Sequence, residues 1–308
     1  MIKPVYIFTG FIESGKTTLI NETLKDPGFT NQEKTLVLLC EEGEIPLIKQ
    51  DNLYYQTIEN QEDITNEYLQ SLEKKYNIDR IMIEYNGTWS LKQLLETELP
   101  LNWKIVQILT TINANTFKLY INNMRTFLYE QIYYSEAVIF NRCKQDIKKN
   151  YLRTNILSIN RSTQIIYENE DGTLNNQQDE ELPYDITQDT IIITIENYGL
   201  FYMDMLDKPK KYEGKTVQLT AKVIRLIPEI KNSFALGRSA MVCCGDDIQE
   251  IGFVCISKDI NNIKINSYIE VEAQIEYEYD QEQEALPLLY IKKYKEVKAI
   301  ENDMVYFN

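Results

Sequence analysis

The residues with the clearest chemical purpose are Gly10, Gly15, Lys16 and Thr17, which stand in the run Gly10-Phe-Ile-Glu-Ser-Gly15-Lys16-Thr17 and fit the spacing G-x-x-x-x-G-K-[ST]. Two glycines at that distance let the chain curl until successive amide N–H groups converge on one anion, because no Cβ blocks the required backbone angles or the close approach. A helix beginning at Lys16 would aim its free N–H donors and the positive end of its dipole at the same point. The ammonium of Lys16 would then reach β- and γ-phosphates, and the Thr17 hydroxyl is suited to ligate Mg²⁺. Glu13, Ser14 and Thr18 lie in the same turn and are expected to line a nucleotide site. The alternative is a chance turn between a strand and a helix; the context of an apolar strand before and a helix after argues for phosphate.

Such a loop works only when regular elements hold it. Val5 to Leu24 reads as a buried strand, the loop and the first turns of a helix. Thr35 to Cys40 reads as a second buried strand that stops in the acidic loop Glu41-Glu42-Gly43-Glu44, and Leu53 to Ile58 as a short strand. Gln61 to Tyr76 reads as an acidic amphipathic helix, and Arg80-Ile-Met-Ile-Glu84 as another buried strand, with Gly87 at its end. A helix at 90–98, a strand at 104–112, one long helix from Asn115 to about Tyr134 and a strand at Glu136 to Phe140 follow. A helix through about Leu157 and a strand at 163–167 complete the series. Short apolar strands alternating with helices predict an α/β fold: a doubly wound, mostly parallel sheet covered on both faces.

Residues 168–189 are crowded with Glu, Asp, Asn and Gln and read as a linker or long surface loop. Beyond them the apolar period changes to two, at Thr190–Ile195, Thr216–Val223, Ile251–Ile256, Tyr268–Tyr277 and Leu288–Ile291. These predict strands of an antiparallel sheet in a small all-β, OB-like barrel. The expected domains are therefore 1–168 for the nucleotide, 169–189 as acidic linker and 190–308 as barrel, in keeping with a chain of 308 residues.

Composition narrows the chemistry. A net charge of −15 argues against nucleic acid as a partner, since that affinity rests on clustered Lys and Arg. The chain contains no histidine, which excludes Ser-His-Asp and Cys-His catalysis and any His-ligated metal. Proton transfer falls to carboxylates, Lys, Tyr or water. Five cysteines and an amino terminus that runs straight into a strand predict reduced thiols in a cytoplasmic protein. No apolar stretch is long enough for a membrane-spanning helix.

A phosphate loop needs an acid at the end of a neighbouring strand to complete the magnesium shell or orient water. Glu84 supplies it, followed by Tyr85-Asn86-Gly87. This hhhE-x-x-G pattern resembles the small GTPases that include the CobW-type, UreG and HypB metal-insertion proteins, and Cys40-Glu41-Glu42-Gly43-Glu44 resembles the first switch of the CobW form. The resemblance implies Lys16, Glu84 and Glu41 as catalytic residues, Thr17 and Glu84 as magnesium holders, and Gly10, Gly87, Asn141 and Arg142 in nucleotide binding. Two departures stand out. In Asn141-Arg142-Cys143-Lys144, Lys144 occupies the place where an N-K-x-D motif puts its guanine-reading acid, and lysine accepts no hydrogen bond. Asp146 comes two residues late, so the base stays open between GTP and ATP, and the lesser alternative for Asn141 is to tie the loop to its neighbours. The Cys-x-Cys-Cys cluster of CobW-type proteins is absent from residues 55–63.

In the second domain, Arg238, Met241, Cys243, Cys244 and Asp247 resemble the R-x-x-M-x-C-C-x-x-D signature of a soluble domain attached to predicted permease subunits, which tend to associate with CobW-like proteins. Cys243, Cys244 and Asp246 or Asp247, with Cys255, are the ligand pool for a soft ion such as Zn²⁺ or another transition metal. The competing reading makes the thiols core residues and Arg238 a structural partner of Asp246 or Asp247. The expected function is Mg²⁺-dependent, GTPase-like triphosphate hydrolysis, coupled to metal handling, to a metalloprotein client or to a permease partner. The alternative is a nucleotide-sensing scaffold without productive hydrolysis. A small-molecule kinase ranks third, because the sequence shows no cationic acceptor pocket.

Overall fold

The computed structural model describes residues 2–30, 33–175, 182–241, 248–279, 285–301, 303–305 and 307. The chain divides into two compact units: 1–147 with 159–178, and 148–158 with 179–308.

In the first unit, β1 (Lys3–Thr9) leads through a loop into α1 (Lys16–Lys25), followed by α2 (Pro27–Thr30), β2 (Thr35–Leu39), β3 (Leu53–Thr57), α3 (Asn66–Tyr76) and β4 (Arg80–Glu84). Next come α4 (Leu91–Glu96), β5 (Trp103–Asn113), α5 (Phe117–Asn123), α6 (Arg125–Tyr133) and β6 (Ala137–Cys143). Then α7 (Lys149–Ile159) intervenes before β7 (Gln164–Asn169). The seven strands lie in the order β3-β2-β4-β1-β5-β6-β7, and every pairing is parallel.

The expected doubly wound sheet follows from strands that are apolar on both faces. Val5, Ile7, Leu36, Leu38, Ile81 and Ile83 pack in one cluster, while the intervening Phe8, Val37 and Met82 pack in another with Ile20 and Leu24 of α1. Alternate residues thus bury against helices on opposite sides, as a parallel sheet requires. The single long helix expected over 115–134 is instead two. The chain leaves helical angles at Met124 (φ −130°, ψ 36°), and just before it the Asn123 side chain donates back to the Leu119 carbonyl at 2.8 Å. Asparagine competes for backbone acceptors in this way, and periodicity alone does not reveal it.

The second unit contains β8 (Thr190–Ile192), α8 (Tyr198–Asp207), α9 (Pro209–Tyr212), β9 (Thr216–Leu226), β10 (Ser233–Met241) and β11 (Ile248–Ile256). It ends with β12 (Tyr268–Tyr279), β13 (Ala285–Val297) and β14 (Met304–Val305). The order β14-β10-β11-β13-β12-β9-β8, with β10 also pairing β9, closes five strands into a barrel. The OB-like expectation holds, with one correction: the sheet is not wholly antiparallel, since β11–β13, β8–β9 and β10–β14 pair in parallel.

Strand β10 and helix α8 are not among the elements expected from the sequence. Strand β10 carries Arg238 on the phase that Phe234, Leu236 and Ala240 fill with apolar side chains, and Gly237 beside it. A Cβ on Gly237 would lie 2.4 Å from the Ile251 carbonyl oxygen, so the two strands meet too closely there for any larger residue. Helix α8 is buried along most of its length, with Tyr198, Phe201 and Tyr202 around Phe253 at ring separations of 6.0, 6.0 and 5.3 Å. An almost fully buried helix lacks the one-sided stripe that marks a surface helix.

Arg238 is 2% exposed. It pairs with Asp303 at 3.1 Å and donates to the Ile195 carbonyl at 2.6 Å, while Asp246 and Asp247 lie outside the described residues. Helix α7 belongs by its contacts to this unit: Arg153 forms a fork to Asp207 at 2.7–2.9 Å, and Asn155 donates to the Phe307 carbonyl at 2.5 Å. Among the described residues no helix is long and apolar enough to cross a membrane.

Candidate nucleotide site

The loop after β1 takes the shape its glycines permit. Gly10 has φ 140°, Glu13 φ 59° and Gly15 φ 101°, and Gly15 caps α1 in the left-handed region. Parallel pairing of β1 with β4 sets Phe8 opposite Glu84, which brings the acid to the level of the loop. Thr17 Oγ1 donates to Glu84 Oε1 at 2.6 Å. The second oxygen, Oε2, is buried with no partner. Burial pushes the Glu84 carboxyl upward; the Thr17 hydrogen bond and the Lys16 ammonium oppose that shift, and the nearby Glu41 carboxylate adds to it.

Lys16 is 2% exposed. Its Nζ donates to the carbonyl oxygens of Gly10 at 2.7 Å and Phe11 at 3.0 Å, and it is ion-paired with Glu41. The acidic loop after β2 therefore reaches the lysine, and Gly43 stands beside Thr17: a Cβ there would lie 3.5 Å from Oγ1. A hollow of about 190 Å³ lies between the two loops, lined among others by Glu13, Lys16, Thr17, Thr18, Glu84 and Arg142.

The remaining expected residues act from below or beside the loop. The Asn141 side chain, delivered by β6, donates to the Ser14 carbonyl at 2.6 Å, and Arg142 (φ 53°) donates to the Glu13 carbonyl at 3.0 Å. Gly87 packs against the first turn: a Cβ on it would lie 2.3 Å from the Gly10 oxygen. Sequence reasoning missed two supports. Thr111 Oγ1 bonds Ser14 Oγ at 2.8 Å, and Gln131 of α6 donates to the Gly87 carbonyl at 2.6 Å. The pair Thr110-Thr111 inside an otherwise apolar strand was the available signal for the first; no local pattern marks the second.

Cys40 is buried beside Glu84 and Glu41, and burial together with those carboxylates pushes its thiol up, so it remains protonated at neutral pH. Cys255 is buried inside the barrel and its thiol is likewise pushed up by burial. Cys243, Cys244 and Asp247 lie outside the described residues. Among the described residues no group of three Cys, Asp or Glu side chains is arranged to hold a metal ion.

A parallel sheet, a glycine loop capping the following helix, and an acid bonded to the helix's second residue define a phosphate-loop nucleotide-binding unit. The chain belongs to the CobW/HypB/UreG family, whose nucleotide-binding domain matches residues 4–167. Residues 168–307 match the DUF1980 C-terminal domain. Among solved structures, the hydrogenase maturation factor HypB from Archaeoglobus fulgidus is similar at 16% identity over 55% of this chain and 82% of that chain, with a TM-score of 0.38. Zn(II)-bound YjiA GTPase from E. coli is similar at 13% identity over 82% of this chain and 89% of that chain, with a TM-score of 0.44. No curated protein matches the chain.

Proposed function

We propose that the protein is a Mg²⁺-dependent nucleoside triphosphatase of the GTPase-like kind, in which water cleaves the β–γ phosphoanhydride. The observation that carries this reading is the Thr17–Glu84 pair beside Lys16, with Glu84 Oε2 buried and unpartnered. An orphaned carboxylate oxygen next to a threonine hydroxyl fits a hard cation, and Thr17 and Glu84 would hold it. When bound, the ion neutralises charge on the phosphate oxygens. The chain's own residues do the rest: the loop amides and Lys16 bind the triphosphate and stabilise charge that develops on it, and Glu84 orients the polar groups around Thr17.

Binding requires Lys16 to exchange the Glu41 carboxylate for phosphate. That exchange releases the 41–44 loop and makes it the switch. Coupling of the switch to the barrel, to a metal such as Zn²⁺, or to a metalloprotein or permease client is the functional role we assign to it, on the strength of the family and of the second-domain resemblance. Turnover without a partner is expected to be slow, since Arg142 is occupied with the Glu13 carbonyl.

Phosphate release and equilibrium nucleotide binding measured on Glu84→Gln test the proposal. Binding retained with hydrolysis lost supports the triphosphatase. Hydrolysis absent from both forms, with binding intact, would leave the nucleotide-sensing scaffold.

A further inference from the structure

Helix α6 sets two consecutive side chains on the segment that follows β4. Gln131 is 2% exposed, and its Nε2 donates to the Gly87 carbonyl at 2.6 Å. Glu130 Oε1 accepts from the Ser90 hydroxyl at 2.9 Å and from the Lys92 amide at 2.7 Å. Gln61 closes on the same segment, with Nε2 donating to the Ser90 carbonyl at 2.8 Å. Residues 87–92 are thereby fastened at both ends. The 41–44 loop, by contrast, meets the lysine through the Glu41 ion pair that nucleotide must replace.

We propose that Gln131 is a positioning residue for triphosphate hydrolysis: it holds Gly87 as a fixed wall of the phosphate loop and, through Gly87, sets the lysine that meets the phosphates. The inference rests on the triphosphatase reading given above.

The series of contacts is short. Gly87 stands against Gly10, where a Cβ would lie 2.3 Å from the carbonyl oxygen. That same oxygen accepts from Lys16 Nζ at 2.7 Å. A displacement of the Gly87 peptide is therefore passed to Gly10 and on to the ammonium, because close-packed backbone has no room to absorb it. Lys16 is the group that stabilises charge developing on the phosphate oxygens, and a misplacement of about 1 Å at such a group costs about a hundredfold in rate.

The chemistry at position 131 points the same way. A buried amide is costly unless both of its ends find partners. Nε2 is spent on Gly87, whereas Oε1 has no partner among the described residues. The side chain borders a hollow of about 60 Å³, shared with Ser14 and Thr111, which has room for water. Packing alone would be served as well by an apolar side chain of the same length. What glutamine adds is a donor for Gly87, whose carbonyl oxygen can only accept.

The test is steady-state phosphate release from the Mg²⁺ complexes of GTP and ATP by the full chain, for wild type, Gln131→Met and Gln131→Glu, with thermal melts alongside. Gln131→Met keeps the length and deletes the donor. It should lower kcat about tenfold, the rate equivalent of one hydrogen bond, while KM moves less than about threefold and the melting temperature stays within about 4 °C. Gln131→Glu regains a donor when its carboxyl is protonated, which burial favours. Its kcat should match wild type at about pH 5.5 and fall about tenfold below it by about pH 8.5. Should Gln131→Met melt below the assay temperature, Gln131→Glu carries the test by itself. An unchanged kcat in Gln131→Met, a KM that rises as much as kcat falls, or a Gln131→Glu deficit equal at both pH values overturns the assignment and leaves the triphosphatase standing. A wild type that releases no phosphate overturns that reading and this inference with it.

Discussion

At the scale of single residues, the lysine of the phosphate loop is tied to an acid of the chain itself. Lys16 is buried, and a buried ammonium needs compensation, which the Gly10 and Phe11 carbonyls and the Glu41 carboxylate provide. Nucleotide must displace Glu41, so Glu41→Gln is expected to bind Mg-nucleotide several-fold more tightly while the free protein melts at a lower temperature. Calorimetric titration and thermal melts read the two effects, and an affinity that falls or stays constant would refute the competition. Glu84 gives a pH signature. Its carboxyl is raised in the folded state, so between the ordinary carboxylate range and that raised value the folded protein binds a proton that the unfolded chain has released. The contribution to stability therefore declines as pH rises through that window. The melting-temperature advantage of Glu84→Gln over wild type should grow across it and then level off; an advantage independent of pH would contradict the assignment.

At the scale of elements, the loop's shape is imposed by neighbours distant in sequence. Strand β6 sends Asn141 to the Ser14 carbonyl, β5 sends Thr111 to the Ser14 hydroxyl, and the segment after β4 sets Gly87 against Gly10. At Gly87 there is no room for a side chain, since a Cβ would meet Gly10 backbone at 2.3 Å. Gly87→Ala should cost about 1–3 kcal/mol, because the new methyl must push loop backbone rather than a flexible side chain. It should also weaken nucleotide binding. Denaturant titration and equilibrium binding check both, and a variant with wild-type values in the two assays would show that the loop yields freely.

At the scale of the whole molecule, the chain crosses between its units more than once: α7 is part of the second unit, and β7 then returns to the first. Ile156 of α7 is fully buried. Ile156→Ala should therefore remove about 2–5 kcal/mol from the second unit. In a thermal scan of the full chain, Mg-nucleotide should raise the transition of the first unit, and Ile156→Ala should lower the other one. A shift of the nucleotide-responsive transition instead would place α7 with the first unit.

The chemistry of this protein was legible wherever spacing along the chain dictates geometry. Gly10, Gly15, Lys16 and Thr17 lie within one loop and one helical turn, so their convergence follows from local backbone freedom, and strands buried on both faces announced a parallel sheet. Glu84 could be named from its position at a strand end, although its bond to Thr17 required the β1–β4 register. What only the tertiary structure decided depends on long-range pairing: the Lys16–Glu41 ion pair, the Gln131 brace on Gly87, strand β10 with its interrupted alternation and the buried helix α8. No local pattern encodes which distant residues a closed barrel or a crossover connection brings together, because that choice is made by the packing of whole elements.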